Sequence, residues 1–243
     1  MRGKRDFLIN GILLVDKPRE WTSHDVCAFV RKRFQIKKVG HAGTLDPLAT
    51  GLLVVLLGKA TKQSMLLSAS DKVYEGVMQL GIQTDTHDRM GKVIAEAPVG
   101  EMSLEFLREK ARPFTGEILQ VPPMVSALKH KGVRLYKLAR QGQEVHREAR
   151  QVTVHKFDIR AVEGACVTFA AHVSKGTYVR TLVNDFGEAL GCHATLGELR
   201  RVRSGQLDVS KSVTMDEIRE MKPEELAAKT LPMLPAAAYA YSQ

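Results

Sequence analysis

A chain of 243 residues, 44% of them hydrophobic and 26% charged, has the material for a folded core, which excludes an intrinsically disordered protein. The formal net charge of +9 favours an acidic partner, most simply nucleic acid or a phosphorylated ligand. No apolar run approaches the roughly 20 residues of a bilayer-spanning helix, no signal-peptide core follows the charged start, and the scattered Cys27, Cys166 and Cys192 lack zinc or redox spacing.

A cytoplasmic chain with reduced thiols and no membrane association is therefore expected. From the amino terminus, Gly11 to Val15 predicts a short apolar strand that delivers Asp16-Lys17-Pro18 to a loop. Lys17, before a proline at a strand end, faces either a pocket or solvent. Thr22 or Ser23 then caps a helix whose apolar face is Val26, Phe29 and Val30. The run Arg31-Lys32-Arg33 that follows reads as a solvated helix end.

Next comes Gly40-His41-Ala42-Gly43-Thr44-Leu45-Asp46-Pro47-Leu48-Ala49-Thr50-Gly51, which runs into Leu52-Leu53-Val54-Val55-Leu56-Leu57 and closes at Gly58. The apolar run reads as a strand covered on both faces, so the stretch before it is a glycine-punctuated loop pinned to a buried sheet. Pro47 pushes Asp46 out of the helical region into an extended conformation, which holds its carboxylate. Two readings stand at this point. Asp46 caps a short turn with Pro47 at its first position, or it is a fixed acid placed for chemistry at the mouth of a rigid element.

Lys72 to Leu80 alternates as a second strand, with Tyr74, Gly76, Met78 and Leu80 on one face. Tyr74 reads as core with its hydroxyl satisfied at the edge, or as a platform for a planar ligand, and Gly76 leaves room beside it. Thr84-Asp85-Thr86-His87-Asp88-Arg89-Met90-Gly91 fails the EF-hand pattern, because its carboxylates miss the alternating ligand positions and no glutamate closes the loop. A polar turn between strands is expected there. Ser103 to Arg112 predicts a helix ended by Pro113 and Gly116.

Gly116 to Arg150 is the most basic part of the chain, with seven Lys or Arg against two acids from Lys129 onward. It predicts an excursion from the main sheet, read either as a basic arm for a nucleic-acid backbone or as a solvated loop and helix. Two β-branched runs, Val152 to Ile159 and Val167 to Val173, lead to Ser174-Lys175-Gly176-Thr177-Tyr178-Val179-Arg180 and then a helix stopped by Gly191. Arg180 falls where strand gives way to helix. It either pairs a surface acid or, facing Asp46, favours the ionised carboxylate and reaches a phosphate. Leu199 to Gly205 holds a second small basic cluster, and Thr214 with Glu217 makes the capping box of a last short helix stopped at Pro223. The tail from Ala236 carries no chemistry. No repeat or linker divides the chain, so one domain over 1–243 is expected. Its element order, neither repeating βαβ nor all-β, predicts α+β with one extended sheet.

In this order the motifs resemble the TruB family of tRNA pseudouridine synthases, from Gly11 to about Pro235. The resemblance rests on Val15-Asp16-Lys17-Pro18, the Gly40 to Pro47 run with Ala49-Thr50-Gly51, Lys72-Val73-Tyr74 and Thr84-Asp85-Thr86. It continues through Gln120-Val121-Pro122-Pro123, Ser126-Ala127-Leu128-Lys129, Leu135-Tyr136 with Ala139-Arg140, the Ser174 to Leu182 run, and Leu199-Arg200-Arg201. It implies the pseudouridine synthase fold, an extended, mostly antiparallel mixed sheet flanked by helices, with residues 121–150 as a mobile, thumb-like basic insertion. It implies isomerisation of one uridine to pseudouridine at position 55 in the T loop of tRNA, by a monomer needing no protein partner, metal or cofactor.

By this resemblance Asp46 is the catalytic aspartate, Tyr74 stacks on the flipped base and takes part in proton transfer, and Arg180 pairs with the aspartate. His41 fills the space that the extruded nucleotide leaves. Lys17, Lys129 and Arg140 lie near substrate phosphates, Lys175 and Tyr178 join the RNA-binding set, and Leu199 lines the uracil pocket. Val125 stands where the family has an aromatic and Leu207 where it has a phenylalanine. Bacterial members continue into a PUA RNA-binding domain, expected to be absent here. The competing class, an RNA-binding or RNA-folding module, would share the basic arm and His41 but need neither Asp46 nor Tyr74. A phosphoryl-transfer enzyme is disfavoured, since there is no P-loop and no pair of metal-binding acids.

Overall fold

The computed structural model describes residues 9–126, 128–130 and 132–235, with the side chains of residues 129, 130, 134, 136 and 140 outside that description. The charged start and the tail from residue 236 also lie outside the described residues. The chain divides into two compact units, one of residues 1–72 with 200–243 and one of residues 73–199.

The first unit opens with strand β1 (Gly11–Lys17), two residues longer than expected, and helix α1 (Ser23–Phe34). Thr22 caps α1 in a reciprocal box with Asp25, which satisfies two backbone donors the helix leaves open. Strand β2 (Val39–Ala42) and strand β3 (Thr50–Leu57) follow, then a 3-10 turn (Gly58–Gln63) and helix α2 (Ser64–Ser68). Residues 51–57 are all buried, as expected of a strand covered on both faces. Ile12, Leu14, Leu52, Val54, Leu56, Ala42, Ala60 and Leu67 form one side of this core, and the partly buried Leu207 packs against it.

The second unit begins along strand β4 (Lys72–Leu80), whose strict alternation of buried and half-buried residues matches the expected face of Tyr74, Gly76, Met78 and Leu80. A hairpin of β5 (Ile82–Thr84) and β6 (Val93–Glu96) encloses the polar turn. Helix α3 (Leu104–Ala111) is capped by Ser103 and followed by strand β7 (Gly116–Gln120). Residues 121–150 hold a short hairpin, β8 (Lys129–His130) with β9 (Val133–Arg134), and helix α4 (Leu135–Arg140). Strands β10 (Arg150–Glu163) and β11 (Cys166–Val173) pair antiparallel before helix α5 (Val179–Leu190), which Gly191 ends in the left-handed region. Phe114, Phe157, Phe169 and Phe186 meet edge to face at 5.4–6.4 Å, a geometry that adds to their burial.

The basic segment around Leu199 forms strand β12 (Ala194–Ser204), which carries the chain back from the second unit into the first. Strand β13 (Leu207–Asp208), strand β14 (Val213–Thr214), helix α6 (Met215–Glu220) and helix α7 (Pro223–Lys229) complete the fold. Pro223 both ends α6 and opens α7, a position its fixed φ and missing N–H suit. The first unit's sheet runs β14-β1-β3-β12, with β2 also on β3, and mixes parallel and antiparallel pairs. The second unit's runs β12-β4-β11-β10-β7.

Candidate active site

Asp46 lies half-buried on the loop between β2 and β3, and the first unit anchors that loop at several points. Ser23, on the first turn of α1, accepts from Leu45 N at 2.9 Å and donates to Leu45 O at 3.1 Å. Glu20 N donates to Pro47 O at 2.9 Å, and Ala49 N closes a turn onto Asp46 O at 3.0 Å. Lys17 is fully buried, and its ammonium donates to the carbonyls of Trp21 at 2.7 Å, Pro18 at 2.9 Å and Pro47 at 3.4 Å. Burial draws its pKa down to about 8, while the nearby Asp46 carboxylate pulls the other way. The lysine expected to meet phosphate is thus shut away from solvent, at the underside of the Asp46 loop.

Arg201 is the second anchor; the sequence reading placed it in a small basic cluster and in a motif of the resemblance, without a role in the site. It is 1% exposed; its Nε donates to Leu52 O at 2.8 Å and an Nη to Gly43 O at 3.0 Å. One planar fork therefore ties together both ends of the segment that carries Asp46. Register fixes this: β12 runs parallel to β3 with Arg201 opposite Gly51, whose φ of +93° and lack of Cβ admit the Arg201 backbone. A Cβ at Gly51 would lie 2.3 Å from Arg201 O. Buried Lys72 points its ammonium at the carbonyls of Ser68 and Ser70, with its Cε 3.7 Å from the Cβ position of Gly43. Arg200 holds Asp16 in a two-pronged ion pair at 3.0 and 2.6 Å.

Asp46 is the only carboxylate of the β2–β3 loop, and it acts on the Lys17 ammonium more strongly than Asp25, the other acid nearby. Both cations, Lys17 and Arg201, are buried and donate to neutral carbonyls, an arrangement that favours an ionised carboxylate close by. His41, on β2, has a buried Nδ1 without a hydrogen-bond partner among the described residues. Burial and the charges of Arg201 and His24 lower its pKa, so its ring is neutral at pH 7.

In the second unit Arg180, 3% exposed on the first turn of α5, donates to Val125 O at 2.6 Å and lies 3.8 Å from Asp88. The guanidinium also sits 5.7 Å from the Tyr178 ring centroid. Asp88 is held by Thr86 Oγ1 at 2.8 Å and Met90 N at 3.0 Å, so the polar turn aims a buried acid at Arg180. The buried Gln120 binds both the N–H and the C=O of Tyr178, which fixes the entry to α5. Because Arg180 uses the backbone of Val125, that contact does not depend on an aromatic there. Tyr74 is 8% exposed on β4, Leu199 and Tyr178 are half-buried, and Lys175 is exposed. Lys129 and Arg140 lie on β8 and α4, with side chains outside the described residues. Asp88, Gln120 and Arg201 were missed as site residues, since their partners are distant in sequence.

Comparison with known proteins adds an independent line. Residues 31–179 match the family model of the TruB family pseudouridylate synthase N-terminal domain, and residues 180–234 match the tRNA pseudouridylate synthase B C-terminal domain. The tRNA pseudouridine synthase B of Syntrophotalea carbinolica is 49% identical over 217 residues, 89% of this chain and 71% of that protein. The protein of the same name from Opitutus terrae is 43% identical over 229 residues, 94% of this chain and 95% of that protein. Among solved structures, a chain of a Cbf5-Nop10-Gar1 complex superposes with a TM-score of 0.73 at 29% identity, covering 94% of this chain and 61% of that one. A chain of an H/ACA RNP bound to a substrate RNA containing 2′-deoxyuridine gives 0.71 at 27% identity, covering 96% of this chain and 62% of that one.

Proposed function

Since the chain belongs to the TruB family of pseudouridine synthases, enzymes that isomerise uridine to pseudouridine in tRNA, we propose that its target is the uridine at position 55 of the T loop and that Asp46 is its single catalytic carboxylate. The observation that supports this most directly is the lone acid on a loop clasped from below by two buried cations. The target base is stacked inside folded RNA and must be flipped out, at a cost of a few kcal/mol. Stacking on Tyr74 returns on the order of 1–3 kcal/mol of that. The C1′–N1 bond then breaks, with Asp46 trapping or stabilising the electron-poor sugar carbon as carboxylates do in glycosidases. The uracil turns, C5 bonds to C1′, the C5 proton leaves to solvent, and N1 regains a proton; Tyr74 is the proposed carrier.

His41 takes the space that the flipped nucleotide vacates, and a neutral ring suits that place among bases. Arg180, steadied by Asp88, supplies positive charge for the reacting carboxylate or phosphate. Lys17 is a positioning residue for the Asp46 loop in this proposal. Lys129, Arg140, Lys175 and Tyr178 contact RNA, Leu199 lines the uracil pocket, and residues 121–150 close over the T arm. The enzyme acts as a cytoplasmic monomer.

Tritium release from tRNA carrying 5-tritiated uridine tests the reading. Wild type is expected to release label stoichiometrically from position 55, and Asp46→Asn to bind tRNA yet release none. Equal release by both proteins removes the aspartate from the mechanism. Binding by both without release leaves an RNA-binding module.

A further inference from the structure

Residues 26–70 carry seven lysines and arginines against the single acid Asp46. Two of the seven serve the fold, and a third, Lys37, has an interaction of its own. Arg31 donates to Val39 O at 2.9 Å, and Arg33 donates to Arg219 O and Met221 O at 3.0 and 2.8 Å. Lys32, Lys38, Lys59 and Lys62 are exposed, and none of them makes an ion pair among the described residues. A solvated helix end accounts for Lys32, but the other three are gathered by tertiary structure.

Gly58 N donates to Lys38 O at 2.8 Å, which sets Lys38 beside Lys59 at the end of the β2–β3 ladder. Lys59 and Lys62 are three residues apart in the 3-10 turn, a spacing at which side chains eclipse and share a face. The turn is rigidly placed: Lys59 N donates to Asn10 Oδ1 at 2.7 Å, Thr61 Oγ1 to Gly58 O at 2.8 Å, and Thr61 packs 3.7 Å from the Cβ position of Gly40. β2 pairs with β3 alone among the described strands, so its other edge is not occupied by a strand.

We propose that Lys38, Lys59 and Lys62 form a phosphate-binding strip for the substrate RNA at the end of the β2–β3 ladder. The proposal rests on the reading that tRNA is the substrate. Compact ammonium groups on mobile stems suit the sequence-independent phosphate contacts that position a nucleic acid. With none of the three ion-paired among the described residues, the strip attracts a polyanion and contributes to the salt dependence of its binding.

The test is the triple variant Lys38→Gln/Lys59→Gln/Lys62→Gln, titrated against an unmodified tRNA transcript over a salt series. Its control removes three exposed lysines elsewhere, Lys110→Gln/Lys211→Gln/Lys229→Gln, with thermal unfolding confirming that both fold. The strip variant is expected to bind about tenfold more weakly at low salt, to lower the slope of log affinity against log salt by about 2, and to raise KM for tRNA. The control is expected to keep the wild-type slope. An unchanged slope in the strip variant, or an equal fall in the control, overturns the strip while leaving the functional reading intact. Failure of wild type to bind or convert tRNA overturns both.

Discussion

A guanidinium that donates to Gly43 O and Leu52 O closes a segment of the chain much as a clasp would, and Asp46 rides on that segment. Arg201→Met removes the donor to the Leu52 and Gly43 carbonyls and leaves a space in the core, and is expected to lower stability by on the order of 3 kcal/mol in urea unfolding. It should also lower single-turnover kcat and shift the acid limb of the pH–rate profile upward, because a cation that favours ionised Asp46 is gone. Arg201→Lys, which keeps the charge but loses the fork, should restore the acid limb more than the rate; equal profiles for both variants would assign the residue to folding alone. Asp88→Asn leaves Arg180 buried beside a neutral amide, and a loss of about 3 kcal/mol together with a fall in kcat is expected. Lys17 carries a pH signature of its own. Its folded pKa of about 8 lies below the ordinary 10.5. Between those values the unfolded chain holds more proton, so this group lets stability rise with pH across that window, and the burdened charged form persists below it. The urea midpoint of wild type minus that of Lys17→Met should rise with pH across that window, and a difference that falls with pH would contradict the assignment.

At the scale of elements, the junction of β3 with β12 decides where the acid sits. Gly51→Ala places a Cβ 2.3 Å from Arg201 O, backbone against backbone, at a φ of +93° that L side chains rarely adopt. A loss of at least about 2 kcal/mol is expected, with activity falling further than stability alone explains, since the clasp moves with β12. A fully stable, fully active Gly51→Ala would show the β3–β12 register to be dispensable. The strands themselves were legible where the pattern was local. β3 announced itself by an unbroken apolar run and β4 by strict alternation. β12 did not, because Arg200, Arg201 and Arg203 interrupt its apolar residues and read as a charged cluster. The turn before β6 was correctly read as polar, yet its role in presenting Asp88 depends on an arginine some ninety positions downstream.

Over the whole chain, the charge of +9 is spread unevenly and does two different jobs. Some cations, Lys17, Lys72 and Arg201 among them, are consumed inside the fold on carbonyl oxygens. Others stay at the surface, where they are available to a polyanion. Wild-type affinity for tRNA should therefore fall steeply with salt while stability changes little, because the contacts of the internal cations are buried and salt screens buried contacts far less than exposed ones. Equal salt sensitivity in unfolding and in binding would blur that division.

By itself the sequence determined the buried strands, the capped helices, the loop that holds Asp46 ahead of Pro47, and the family, because each is written in residues close together along the chain. Only the tertiary structure decided which cations are shut inside and which face solvent. The reason is physical: a lysine or arginine looks the same in sequence whether it meets water or a carbonyl, and Gly43, the partner of Arg201, lies 158 residues away.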